Sequence, residues 1–509
     1  MDDGLNYRTD VPYVPHYTPK LSPAAIRFAL LLRGHALPEP EPGEPFRYLE
    51  LGFGRGCCLA LHAATNEGEF WGVDFLPDHC EAARKTVAAA GLDCRILEDS
   101  FAGTAAAAAG GKLPRFDIVA LHGVWSWVDD RNRDHILDIL RHCLKPGGCA
   151  YVSYNALPGW SVLAPVRDLM LGMLETEGGG NPEARIRAVM DRLAEMARGD
   201  GIYFRLNPLC GIYLEEMAAK PAAFLAHDFF NPTWQPFSFR DVAGRLAEAG
   251  CSFAASMDLF SHSSLCLPPE ARGHVSTTTD PHVRETLRDF AVNTQFRADL
   301  FLREPRRLGD GEHRDRLGKT RLRLGRPREE IGGEIDWGGG KIDLGQERFV
   351  RLLDALPADG RETRPLADCA EPLLATGERR AELCETLAIL REAGMVLPVV
   401  AEPPARLREA SCLLNRELCR QFFAGEGTAG HLASPLYGGG YPVSDEEQVM
   451  LHFRPASSNA EEWAEGIVRQ MISRGLDRPY SEALAREVAH VEEFTRTRIP
   501  LLENHGVLC

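Results

Sequence analysis

Glu50 to Gly56 read ELGFGRG, with Gly52, Gly54 and Gly56 spaced two apart behind an acid. Glycines in that pattern let backbone N–H groups come close to an anionic or polar ligand, because no side chain blocks the approach. Tight turns also use glycine, so the loop alone leaves both readings open. Asp74 follows roughly 20 residues on, where a nucleotide-binding α/β unit places an acid to hold ribose hydroxyls. Asp99 is a further acid in the same stretch. A second group comprises His122, Trp125, Trp127, Tyr154, Asn155 and Trp160. Tyr154 and Asn155 offer a hydroxyl and an amide to orient an amine, and His122 can hydrogen-bond a ligand or act as a base. The aromatic faces suit a cationic group. Core packing remains the alternative for each tryptophan, and a structural role the alternative for His122.

These residues fall at the ends of strand candidates. RYLEL (Arg47 to Leu51) feeds the glycine turn, and the helical pattern CCLALHAA follows it. A strand, turn and helix in that order aim a helix N-terminus at a ligand. EFWGVD closes on Asp74, CRILED on Asp99, and FDIVALHG carries His122 and Gly123 at its end. LKPGGCAYVSYN then turns into a fifth strand ending at Tyr154 and Asn155. The alternation predicts a parallel, doubly wound α/β sheet.

FSFRDVAGRLAEAGCSFAASMD reads as a helix and a sixth strand, which makes residues 161–226 a helical insertion. Leaving the fifth strand, it would sit over the ligand crevice as a lid, a dimer contact or both. HDFFNPTWQPFSF (His227 to Phe239) returns from it and either lines the entrance or packs in the core. Residues 1–45 form an N-terminal arm with one helix, whose Tyr13 and Tyr17 could fold over the site. The basic run Leu302 to Glu330, within a linker over 302–345, reads as a solvated linker or exposed strands in preference to a nucleic-acid or partner patch, because acids interrupt it. Residues 346–402 suggest a winged-helix-like module, read as a protein contact because LADCAEPLLA carries only acids. Residues 403–509 read as a mainly helical module.

At 509 residues the chain has room for about two to four domains. A formal charge of −16 disfavours non-specific binding to nucleic acid or anionic membrane. The 14 cysteines include no CxxC pair, which argues against a zinc or thioredoxin-type site, and thiols inside elements suggest a reducing compartment. No secretory signal and no apolar run of membrane-spanning length is visible, so the expectation is a cytoplasmic protein.

An ExGxGxG loop, rather than GxGxxG, with acids closing the second and third strands resembles the Rossmann-like class I S-adenosylmethionine (SAM)-dependent methyltransferases. YLELGFGRG, FWGVDFLPDH, EDSF, FDIVALHGVWSWV, SYNALPGW, HDFFNPTW and RDFAVNTQFRADLF together resemble a bacterial family of these enzymes that carries a methyltransferase regulatory domain. That family includes protein-lysine methyltransferases of rickettsial outer-membrane proteins. The resemblance implies a methyltransferase domain over 46–301 and a SAM site on Glu50, Gly52, Gly54, Asp74, Asp99 and Ser100. Asp74 would hold the ribose, and Asp99 with Ser100 the adenine edge. Phe53, Gly56, Phe75, Phe101, His122, Gly123 and Trp125 complete the expected cofactor set; Tyr154, Asn155, Trp160 and His122 form the expected catalytic set. No metal is expected. The acceptor is expected to be an amine, foremost a protein lysine. A small-molecule N- or O-acceptor and a non-catalytic SAM-binding scaffold are the alternatives, and a homodimer is plausible.

Overall fold

The computed structural model describes residues 16–508 except 179, 200, 223–224, 227–228, 401, 428–429, 456, 458 and 474–479. Its centre is a seven-stranded sheet in the order β3-β2-β1-β4-β5-β7-β6. The strands are β1 (Arg47–Leu51), β2 (Glu69–Asp74), β3 (Cys94–Glu98), β4 (Phe116–Leu121), β5 (Leu144–Asn155), β6 (Cys251–Ser256) and β7 (Phe296–Arg303). All neighbours pair in parallel except β7, which runs antiparallel to both β5 and β6. The order reverses between β1 and β4, so a crevice opens beyond the carboxyl ends of the central strands.

After α1 (Pro23–Leu32), helices α2 (Cys57–Thr65), α3 (Pro77–Ala89), α4 (Phe101–Ala109) and α5 (Asp130–Cys143) alternate with the first five strands. Nearly every residue of α2 is buried, because the helix Ala405–Phe423 packs on its outer face. Ser411 donates from that helix to the Ala64 carbonyl at 3.0 Å. The C-terminal part is thereby bound directly to the helix that follows the glycine loop.

The insertion contains α6 (Ala164–Thr176), α7 (Pro182–Arg198), α8 (Ile202–Leu206) and α9 (Pro208–Ala218). Leu163, Met170, Ile186, Val189, Leu193 and Leu214 give it a small core separate from that of the sheet.

One expectation changes. Residues 302–345 are not a plain linker: they hold a helix, Asp310–Lys319, and β8 (Arg321–Leu324), the middle strand of a three-stranded sheet with β9 (Arg364–Pro365) and β10 (Val396–Val399). RLRL forms a strand despite its charges: Leu322 and Leu324 are buried, and Arg323, also buried, donates to the Asn504 carbonyl at 3.0 Å. Backbone carbonyls thus satisfy a charge that looks solvated in the sequence. Further on, the mainly helical tail contains an antiparallel hairpin, His431–Ser434 with Gly439–Pro442. Among the described residues 12 cysteines are free, while Cys412 is disulfide-bonded, a pairing that spacing alone does not reveal. No described helix is long and apolar enough to cross a membrane.

Candidate active site

A cavity of about 120 Å³ lies where the sequence places the ligand crevice. Glu50, Gly52, Phe53 and Gly54 line it from the loop after β1, and Asp74 and Phe75 from the end of β2. Asp99 and Phe101 line it after β3, and His122 and Gly123 after β4.

The loop works because of its glycines. Gly52 adopts φ 72°, and a Cβ there would lie 2.7 Å from Val124 Cγ2. Gly56, at φ 78°, caps α2 without a side chain, and a Cβ on it would strike Ala83 at 2.6 Å. The first N–H groups of α2 are therefore left without a side-chain cap beside the cavity.

The acids are held in different ways. Asp74 accepts the Gly54 N–H at 2.9 Å on Oδ2 and the Leu76 N–H at 3.0 Å on Oδ1, with His79 Nδ1 3.3 Å from Oδ1. Its carboxylate is thus fixed in orientation and retains lone pairs for a ligand. Glu50 is buried, and its Oε2 has no hydrogen-bond partner. Burial, followed by the neighbouring charge of Asp74, pushes the Glu50 pKa up to about 8. Asp99 accepts the Ser100 N–H at 2.8 Å and lies over Gly103, where a Cβ would come within 2.1 Å of it.

Past β4, His122 Nδ1 lies 3.0 Å from the Tyr151 hydroxyl, and burial drives its pKa down to about 3. At neutral pH it is an uncharged hydrogen-bonding imidazole and a weak base. Gly123 donates its N–H to Ser153 Oγ at 2.8 Å.

Several expected residues are placed elsewhere. Ser100 accepts the Gly103 N–H at 3.1 Å as the cap of α4, and is not part of the cavity wall. Trp125 is fully buried in the sheet core against Phe237; Trp127, two residues on, takes the cavity wall instead. Tyr154 points to the far face of β5, where its hydroxyl donates to Asp299 at 2.8 Å. That aspartate also pairs with Arg297, which binds Asp289 and Glu285 as well. Strand alternation explains the placement: Tyr151 and Ser153 face His122 and Gly123, so Tyr154 must face away. Asn155 shares their face, but it uses its backbone N–H on Ser126 Oγ at 2.9 Å and does not line the cavity.

Trp160 belongs to an aromatic row that starts at the cavity. Trp127 and Trp234 have ring centroids 6.5 Å apart, and Trp234 and Trp160 are 4.8 Å apart. Phe229 continues the row 5.7 Å beyond Trp160. Arg167 from α6 is buried, donates to the Asn231 carbonyl, and lies 4.5 Å over the Trp234 ring. The run from His227 to Phe239 thus places Trp234 in this row, while His227 and Asp228 lie outside the described residues, as does Tyr13.

Tyr17 turns away from the cavity, and its hydroxyl accepts the Gly440 N–H at 2.9 Å. Its neighbours His16 and Thr18, with Leu21, line the cavity. Nothing in their residue types singled them out.

Residues 49–148 match the family model "Methyltransferase domain", and residues 221–303 match "Predicted methyltransferase regulatory domain". An uncharacterized protein of Synechocystis, sll1526, is 30% identical over 98% of this chain and 99% of its own. The chain belongs to the class I SAM-dependent methyltransferases that carry a methyltransferase regulatory domain. A Rickettsia prowazekii relative, the uncharacterized protein RP789, is 26% identical over 61% of this chain and 55% of its own. PKMT2 from Rickettsia typhi, solved in complex with AdoHcy, shares the fold at 18% identity, with a TM-score of 0.67 over 95% of this chain and 98% of that one. In this methyltransferase the "regulatory" segment is not a separate body. Residues 221–303 include β6 and β7, two strands of the catalytic sheet.

The cavity fits SAM, the cofactor of the family. The glycine loop makes room for the ligand, the uncapped start of α2 offers donors, and the orphaned Glu50 oxygen awaits a cation or donor.

Proposed function

We propose that this methyltransferase modifies an amine nitrogen, and that its acceptor is a protein lysine. Glu50 would take the ammonium of the cofactor, Asp74 the ribose hydroxyls, and Asp99 the adenine edge, with Phe53, Phe75 and Phe101 packing beside them. SAM supplies an already activated methyl group, so what the chain must do is align and desolvate the acceptor.

A lysine is a poor nucleophile until it loses its proton. With an ordinary pKa of 10.4, holding it neutral at pH 7 costs roughly 4–5 kcal/mol. The observation that carries the proposal is the row Trp127, Trp234, Trp160 leading away from the cavity. It excludes water from the acceptor, and that loss of hydration penalises the charged ammonium, while the buried Arg167 guanidinium behind Trp234 adds like-charge repulsion in the same sense. His122, neutral at pH 7, accepts or donates a hydrogen bond without introducing a charge. The match along almost the whole length of Rickettsia typhi PKMT2 supports the same reading. The exposed Ile202, Leu206, Leu209 and Ile212 of α8 and α9 support a role for the insertion in protein contacts, a homodimer among them.

The test uses purified protein, radiolabelled SAM and a host-cell lysate separated into protein and small-molecule fractions. Label in a protein band that yields methyl-lysine on hydrolysis is the expected result. Label confined to small molecules would overturn the protein acceptor, and bound SAM with no transfer anywhere would overturn catalysis.

A further inference from the structure

A much larger cavity lies apart from the methyl-transfer site. It measures about 1490 Å³ and opens to the surface between helix Pro23–Leu32, the three-stranded sheet around β8, and the hairpin His431–Ser434 with Gly439–Pro442. Small-molecule pockets usually span about 300–1,000 Å³, so this one is roomy for a ligand with its bound water.

Its charge is what sets it apart. Arg27, Lys319, Arg321, Arg326 and Arg391 line it, and none of the five forms an ion pair with a carboxylate among the described residues. Arg321 donates only to the neutral Thr363, at 3.0 Å to Oγ1 and 2.9 Å to the carbonyl. Arg27 lies over the Phe46 ring at 4.2 Å. Two of the acids on the wall are already committed, Glu67 to Arg406 and Asp315 to Arg314, leaving Glu371 as the remaining carboxylate.

Such a surplus is out of keeping with a chain of net charge −16, in which Arg297 alone gathers three carboxylates. Arg391 is partly buried and desolvation lowers its pKa, so its charge is held at a cost that a bound anion would relieve, whereas Arg27 is exposed and open to a ligand. Four of the five cations are arginines, whose planar fork binds phosphate oxygens in pairs. Tyr17, Tyr437 and Tyr441 share the wall; Tyr17 packs on His62 and His431 and Tyr441 stacks on His505 at 4.3 Å, so a ligand ring would meet their remaining edges and faces beside the cations.

We propose that this cavity binds a small polyphosphorylated molecule of the nucleotide class, its phosphates on the unpaired cations and its ring among the tyrosines. A small ligand is favoured over an acidic protein segment, because a large polyanion must approach a surface that is acidic overall. The two cavities share a wall: Tyr17 faces this one, and the flanking His16 and Thr18 face the cofactor.

The test is calorimetric titration of the full chain, saturated with S-adenosylhomocysteine to block the cofactor cavity, with ATP and separately with tripolyphosphate. The expected result is one ATP site with a micromolar Kd, and weaker but measurable tripolyphosphate binding that declines with salt. The double variant Arg326→Gln, Arg391→Gln should lose at least tenfold in ATP affinity, since a hydrogen bond to a charged group contributes about 1.5–3 kcal/mol. Neither side chain makes a hydrogen bond among the described residues, so the variant should keep the parent Tm. Lys85→Gln, at the exposed pair with Glu81, should bind ATP as the parent does and controls for overall charge. No heat at 1 mM ATP, binding that S-adenosylhomocysteine abolishes, equal binding by the double variant, or tighter binding of a glutamate-rich peptide than of ATP would each overturn the proposal.

Discussion

Glu50→Gln tests the cofactor site through a proton. In the free protein the Glu50 pKa is about 8, raised first by burial and then by Asp74. At pH 7 about nine-tenths of this carboxyl is therefore protonated, whereas an exposed glutamate is almost wholly ionised. If its unpartnered oxygen receives the cofactor ammonium, binding must expel that proton. Titration of SAM in buffers of different ionisation enthalpy should show about 0.9 proton released per site at pH 7. Affinity should rise up to tenfold per pH unit between pH 6 and 7. Glu50→Gln should release almost none, bind SAM at least tenfold more weakly, and lose the pH slope. Stability should move the other way. A folded-state pKa above the unfolded value of about 4.3 means the folded form holds the extra proton. Folding is therefore unpenalised below pH 4 and loses stability as pH rises toward 8, by about 3.5 kcal/mol at pH 7. The ligand-free variant should accordingly melt higher than the parent at pH 7, and the gap should close near pH 4.5. A parent that releases no proton, or a glutamine variant with parental SAM affinity, would refute the reasoning.

Gly52→Ala should weaken SAM binding at least tenfold by titration, because the added Cβ meets both a φ of 72° and Val124 at 2.7 Å. Trp160→Ala should lower kcat while leaving SAM Kd within twofold, since the ring stands beyond the cofactor cavity. Arg167→Met should shift the pH–rate profile upward by on the order of 1 unit, because it removes a positive charge that disfavours a second cation nearby; Arg167→Lys should shift it less. Tyr154→Phe should cost about 1–2 kcal/mol in denaturant unfolding, because it strips a hydrogen bond from buried Asp299, yet leave SAM Kd unchanged.

The first five strands and the glycine loop were readable because they are local: each strand is short, apolar and closed by a residue with a job. β7 was harder, since FRADLFLR carries Arg297 and Asp299 in its interior. Both are buried in a network with Glu285, Asp289 and Tyr154, partners that no local pattern announces. The same network explains Tyr154. Residue type suggested an active-site hydroxyl, but the facing of a residue on β5 depends on strand phase, which the sequence of a strand buried on both sides does not mark. Trp125 and Trp127 exchange expected roles for a similar reason, being two residues apart on one short turn. The distant basic cavity was invisible, because its cations come from positions as far apart as Arg27 and Arg391.

The antiparallel placement of β7 bears on how the protein is made. β5 ends at Asn155, yet its partner on one side begins at Phe296, and β6 reaches the sheet only through that partner. During synthesis from the N-terminus, the edge of β5 must wait unpaired until more than a hundred further residues have left the ribosome. A waiting apolar edge invites pairing with other chains. A truncation after residue 220 would keep every glycine and acid of the cofactor loop and still be expected to aggregate, while one that retains β7 would close the sheet.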